Sequence, residues 1–156
     1  MKEITSELAN SLLAGETQVR GLLEMSEDQM GAWASLGYRA WSQGRRQEAQ
    51  KIFRALIALD EKSYLGHAGM GASALDADDL PAAVEYLRAA AALRPDDAVV
   101  QSNLGEALLR SEVVSEAAVH LRRAIELNPS GKDPGANRAR AIVAALGQQL
   151  DQMSAN

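Results

Sequence analysis

The chain of 156 residues contains no cysteine, and aromatic residues make up only 4% of it. Without thiols the protein can form neither disulfides nor thiolate metal sites, which fits a reducing cytosol. No apolar run approaches the roughly 20 residues that a membrane-spanning helix needs. The N-terminus lacks the apolar segment of a secretory signal, so we expect a cytoplasmic protein. The net charge of −5 argues against nucleic acid as a partner, because binding nucleic acid needs a basic face.

The sequence also lacks a recognisable catalytic or cofactor-binding constellation. His67 and His120 fall at non-equivalent positions, and neither has an acidic or hydroxyl partner at an offset typical of a catalytic pair. Asp76, Asp78 and Asp79 resemble the start of a calcium loop, but its glycine and its distant glutamate are missing. We therefore expect no enzyme activity, no metal site and no cofactor.

What the sequence does contain, from Met30 to Gly131, is an internal repeat with a period of about 34 residues. Small and large residues recur in step at Gly37, Gly71 and Gly105, at Ala49, Ala83 and Ala117, and at Phe53, Leu87 and Leu121. This period and these columns are typical of the tetratricopeptide repeat, a helix-turn-helix unit, and argue against a helical bundle with a chance period. Pro95 and Pro129 mark the ends of second helices, because proline cannot continue a helix.

We predict an all-α fold, a tetratricopeptide superhelix of three helix-turn-helix repeats with an N-terminal helical arm and a C-terminal capping helix. The arm occupies residues 1–25, the repeats 26–131, and the capping helix and tail 132–156. The three repeats run at about 30–63, 64–97 and 98–131. Helices are expected at 27–42, 45–59, 64–76, 98–110, 115–127 and 137–153, and the second helix of repeat two ends at Arg94. The capping helix carries its apolar stripe at Ile142, Leu146, Leu150 and Met153.

The repeated columns also predict how the helices meet. The glycines are expected to face the alanines of the second helices, so that two backbones approach closely, while Phe53, Leu87 and Leu121 fill the space between units. Gly44 makes the turn of repeat one. The turn at 111–114 has no glycine, so we expect that connection to be distorted, and residues 131–135 read as a linker broken by Pro134.

The predicted arm carries an apolar stripe that must be covered. Ile4, Leu8 and Leu12 are spaced by four residues and share one face of a helix at 3–14. A second short helix is predicted at 17–24. Two interpretations stay open at this stage: the arm caps the repeats of its own chain, or it is a dimerisation arm that packs on another chain.

The repeats further predict a binding surface. In this repeat the first helices line the concave face, and helical spacing assigns ten side chains to it: Ala34, Tyr38, Trp41, Leu65, Ala68, Ala72, Leu75, Val99, Asn103 and Glu106. Small residues flanked by Tyr38, Trp41 and Leu75 predict an apolar groove for a peptide, with the aromatic side chains as anchors. The alternative is that Tyr38 and Trp41 pack against the N-terminal helices.

Several segments resemble one narrower family. They are LLAGET at 12–17, LLEMS at 22–26, GRRQEAQKIFRAL at 44–56 and GHAGMGA at 66–72. With the layout of arm, three repeats and closing helix, the chain resembles the class II chaperones of bacterial type III secretion, which hold hydrophobic translocator proteins before export. The resemblance implies a non-enzymatic, cytoplasmic bacterial chaperone.

The resemblance also implies a partner and an assembly. Its groove would bind a short extended segment near the N-terminus of a translocator. The positions carried over are Tyr38, Trp41, Leu65, Ala68, Ala72 and Leu75. It implies a homodimer formed through Ile4, Leu8 and Leu12.

A generic tetratricopeptide adaptor in a larger assembly remains the alternative, because Pro129 makes the third repeat more regular than is usual in that family. A clamp for terminal carboxylates is rejected, because the required positions hold Ala34, Tyr38, Gly69 and Val99 rather than cations. Only Asn103 would suit such a clamp.

Overall fold

The computed structural model describes residues 26–154. This part contains seven α-helices: α1 Glu27–Ser42, α2 Arg46–Leu59, α3 Tyr64–Asp76, α4 Leu80–Leu93, α5 Ala98–Arg110, α6 Val114–Leu127 and α7 Pro134–Ser154. The predicted all-α fold of consecutive helical hairpins is confirmed. The predicted arm, and with it Ile4, Leu8 and Leu12, lies outside the described residues.

Polar side chains cap the starts of two helices that the sequence places at residues 27 and 98. The Ser26 hydroxyl accepts a hydrogen bond from the Gln29 amide at 3.2 Å, and the Gln29 side chain accepts one from the Ser26 amide at 2.8 Å. At the start of α5, the Asp97 carboxylate accepts from the amides of Val99 and Val100, both at 2.9 Å. These caps satisfy amide groups that a helix leaves unpaired in its first turn, and so fix where α1 and α5 begin.

The turns inside the three hairpins share one backbone conformation. Gly44, Asp78 and Glu112 occupy equivalent positions in the three repeats and have φ angles of 77°, 61° and 62°. The predicted distortion of the 111–114 connection is therefore wrong. The third turn keeps the left-handed geometry of the first, at a cost of roughly 1–2 kcal/mol for a residue with a side chain.

The chain forms two compact units, Met1–Gly69 and Met70–Asn156, whose boundary falls within α3. In the first unit, the side chain of Phe53 on α2 is fully buried. A methyl group added to Gly37 of α1 would lie 2.7 Å from the Phe53 ring, and one added to Gly69 of α3 would overlap the same ring. Phe53 therefore fills the space between two repeats, as predicted.

In the second unit the same columns recur with leucine. A methyl group on Gly105 would lie 2.7 Å from Cγ of Leu121 and 3.1 Å from its backbone nitrogen, and Gly71 meets Leu87 in the same way. The atoms nearest to these glycines thus belong to the large residue of the second helix. The predicted pairing with alanine stays a prediction. A helical side chain leans toward the N-terminus of its helix, which brings the leucine over the glycine.

The last helix begins earlier than predicted, at Pro134 rather than at residue 137. The Asp133 carboxylate accepts a hydrogen bond from the Ala136 amide at 3.0 Å, and proline is well suited to the first helical position. Pro134 therefore starts a helix instead of breaking a linker. Ile142 packs against the buried cluster that contains Leu121, whereas Met153 is 77% exposed, so only part of the predicted stripe is covered.

Within residues 26–154, no helix has both the length and the apolar character needed to cross a lipid bilayer.

Candidate peptide-binding site

In the first unit, the predicted groove positions differ in exposure. Ala34 and Ala68 are only 2% and 6% exposed, so they shape the surface from below, whereas Trp41 and Leu65 are half-buried. The Tyr38 ring lies 5.0 Å from the Phe53 ring at an interplanar angle of 60°, a favourable tilted arrangement. Tyr38 therefore rests on the core of its own repeat. The alternative contact of Tyr38 and Trp41 with the N-terminal helices involves residues outside the described part.

In the second unit, the predicted positions range from core to surface. Leu75 is 4% exposed and belongs to the core, Ala72 is half-buried, and Val99 is 43% exposed. Asn103 is 8% exposed, and beside it the fully buried hydroxyl of Ser102 has no hydrogen-bond partner among the described residues. With Gln101, which is 5% exposed, α5 thus buries three consecutive polar side chains.

Glu106 lies between two arginines. Its carboxylate is 2.6 Å from a guanidinium nitrogen of Arg138 on α7 and 3.6 Å from one of Arg110 on α5. Arg110 also contacts the Asp78 carboxylate at 2.5 Å and donates to the Leu75 carbonyl oxygen at 3.4 Å. Both arginines are thus already paired with carboxylates of this chain.

Arg138 was not predicted at this site from the sequence. Its separation from Glu106 along the chain falls two short of the repeat period, so the columns that reveal the other contacts do not reveal this one. The salt bridge depends on how α7 packs against α5, and no local pattern in the sequence signals it.

A second polar cluster joins α4, α5 and α6 around His120. Its Nδ1 lies 2.7 Å from the Gln101 side-chain oxygen, and the Gln101 amide donates to the Pro95 carbonyl at 3.1 Å. Its Nε2 is 3.8 Å from the Glu116 carboxylate, which Arg88 contacts at 2.6 Å. His120 thus has partners that the sequence did not suggest, but no nucleophile is among them. Residues 26–154 contain no group of three or more side chains suited to hold a metal ion.

The His120 cluster predicts a pH dependence of stability. Burial lowers the pKa of His120 below its ordinary value of 6.5, against the raising effect of Glu116 and with a smaller lowering effect of Arg88. The folded state therefore binds fewer protons, so the stability from this group is complete above pH 6.5 and is lost as the pH falls through the folded pKa. We expect His120→Gln to remove this contribution. Urea unfolding of both proteins between pH 5 and 8 measures it, and parallel curves would contradict the assignment.

Comparison with known proteins supports the repeat fold. Residues 31–63 match the family model of the tetratricopeptide repeat. A sequence comparison with curated proteins finds no match. The fold is similar to that of SycD, a type III secretion translocator chaperone of Yersinia enterocolitica, with a TM-score of 0.68 and 24% identity over 82% of this chain and 98% of that one. SycD in complex with a peptide of the translocator YopD matches with a TM-score of 0.65.

Two further solved structures extend this comparison. A chain of a type III secretion complex from Aeromonas hydrophila matches with a TM-score of 0.72 and 21% identity, covering 94% of this chain and 99% of that one. The first tetratricopeptide domain of Spaghetti, bound to an HSP90 peptide, matches with a TM-score of 0.66 and 20% identity, covering 79% of this chain and 97% of that one. The protein thus has a tetratricopeptide-repeat fold. Within that class its structure resembles the translocator chaperones, as the sequence segments predicted.

Proposed function

We propose that this protein is a non-enzymatic chaperone of a bacterial type III secretion system. It holds an extended N-terminal segment of a hydrophobic translocator in the groove of its first helices, in the cytoplasm, before export. It works as a homodimer joined through Ile4, Leu8 and Leu12. The observation that carries the proposal is the similarity of most of the chain to SycD, which has been solved with a translocator peptide.

The exposure of the groove positions indicates which of them would contact a peptide and which would support those contacts. The half-buried Tyr38, Trp41 and Leu65 and the exposed Val99 offer apolar surface to a peptide. Ala34, Ala68 and Leu75 are buried and support that surface. Aromatic side chains that keep one face open and rest the other on a core are typical binding anchors, because little conformational freedom remains to be lost. In the second unit, Asn103 and Glu106 add polar groups to the predicted positions.

Trp41→Ala tests the groove directly. We expect peptide affinity to fall roughly 30-fold or more, because truncating an aromatic anchor typically costs about 2 kcal/mol or more. The ligands are labelled peptides that tile the N-terminal segments of the host's translocators, and fluorescence anisotropy measures the affinity. Trp33→Ala is the matched control. It removes the only other tryptophan, on the same helix, 40% exposed and outside the predicted groove. Equal losses in both variants would contradict the groove assignment.

The adaptor alternative is favoured by the similarity to Spaghetti and by the general repeat model that matches residues 31–63. The same peptide experiment separates the two functions. A chaperone binds the tiled translocator segments and keeps a co-expressed translocator soluble. An adaptor does neither, and retains soluble assembly components instead.

A further inference from the structure

An apolar cleft of about 490 Å³ opens between α6 and α7 in the second unit. We call it the α6–α7 cleft. Its apolar walls are formed mainly by Val114, Ala118, Leu121, Ile125, Val143 and Leu146. Val114 and Val143 are 59% and 46% exposed, and a methyl group built on Gly147 in the same wall meets no atom within 4 Å. An open apolar groove between two helices has the form that receives the apolar face of a third helix.

The cleft lies where the second helix of a further repeat would pack if the repeat pattern continued beyond α7. In the third repeat, α6 packs against α5 through Leu121 on Gly105. It also lies beside α4, to which the Arg88–Glu116 ion pair of 2.6 Å joins it. The helix α7 then takes the role of the next first helix, with Ala139 one repeat period after Gly105. No described residue fills the corresponding seat beside α6.

Arg122 at the cleft indicates which charge a helix bound in the cleft should carry. It lies one repeat period after Arg88, so it holds the position on α6 that Arg88 holds on α4. Arg88 pairs with Glu116, the third residue of α6. Arg122 has no such ion pair within residues 26–154. A helix that packs against α6 as α6 packs against α4 would place a carboxylate near its own start beside Arg122. Five residues later it would carry a large apolar side chain, as Leu121 follows Glu116.

The N-terminal arm has this pattern. Glu7 and Leu12 repeat the spacing of Glu116 and Leu121, and Ile4, Leu8 and Leu12 give the apolar stripe. We propose that residues 3–14 of a second copy of this chain occupy the α6–α7 cleft, with Glu7 of that copy against Arg122. The inference rests on the dimerisation in the proposed function and specifies the surface to which the arm binds. Reciprocal exchange of two arms closes a two-fold dimer.

The charges around the cleft agree with this register. Glu126 lies one helical turn after Arg122, and the arm has no acidic residue between Glu7 and Glu16, so no like charges meet there.

Cross-linking between two full-length variants tests the seat. Because the chain has no cysteine, Ser11→Cys places a single thiol on the arm and Val143→Cys places one in the cleft wall. Mixed and treated with a short bismaleimide, the two variants should give a dimer that needs both thiols. Ala145→Cys, two residues along α7 and roughly opposite on the helix, is the matched control and should give at least about tenfold less product.

Charge reversal supplies an independent readout of the same contact. Arg122→Glu should weaken dimerisation about tenfold in sedimentation, and Glu7→Arg in the same chain should restore it. If neither change affects the dimer and no Val143 cross-link forms, the arm does not bind in the α6–α7 cleft, although the protein still dimerises. Cross-linking within one chain carrying both thiols would show that the arm folds back on its own cleft, and would also overturn the proposal. Neither result alters the Trp41 peptide measurement.

Discussion

Gly135→Ala should unfold the protein at a denaturant concentration well below that of the natural chain. A methyl group at this position would lie 2.5 Å from the backbone nitrogen and Cα of Val99, closer than such atoms can approach. Both partners are helix backbone, so neither can turn aside as a side chain would. The first turn of α7 must move away from α5, which strains the Arg138–Glu106 salt bridge of 2.6 Å. We expect a loss of about 2–3 kcal/mol, at the upper end for overpacked sites.

Gly147→Ala on the same helix is the matched control and should act in the opposite direction. A methyl group there meets no atom of residues 26–154 within 4 Å, so within this part of the chain only the helix propensity changes. Alanine is favoured over glycine inside a helix by roughly 1 kcal/mol. Guanidinium unfolding of the three proteins measures both effects. A loss in both variants would show that α7 is sensitive to any change, whereas a gain in both would show that α7 can slide away from α5 at little cost.

The features that the sequence predicted well are those set by local rules and by the period. The helix starts at Ser26 and Asp97 follow from the capping chemistry of single side chains within one turn. The burial of Phe53 follows from its column in the repeat. Each of these inferences needs only a few residues whose spacing is fixed by helix geometry.

The features that the sequence did not predict depend on contacts between distant residues or on a choice between similar ones. That the atoms nearest to Gly105 belong to Leu121 depends on the direction of a side chain. The left-handed Glu112 shows that hairpin geometry overrides residue preference. Leu75, predicted at the groove surface, is only 4% exposed. A variant at Leu75 would therefore test stability more than binding.

Phe53→Ala should have the largest effect on the first unit and should abolish peptide binding with it. The ring is fully buried against Gly37 and Gly69, and glycine leaves no side chain that could fill the space. Truncation of a buried phenylalanine typically costs about 3–5 kcal/mol. It also removes the support of the Tyr38 ring, 5.0 Å away, whose pairing is worth about 0.5–1.5 kcal/mol beyond its buried area.

Phe53→Leu is the control that keeps the groove argument separate from unfolding. Leucine occupies the same column at positions 87 and 121, so the repeat accommodates it, and a change of this kind usually costs less than about 1.5 kcal/mol. In a repeat protein each unit contacts mainly its neighbours. Hydrogen exchange should therefore show lost protection in α1 and α2 of Phe53→Ala while α5 and α6 stay protected. Peptide affinity should fall modestly in Phe53→Leu, because Tyr38 loses an aromatic partner but keeps its place. Full affinity in Phe53→Ala would mean that Tyr38 and its support take no part in binding.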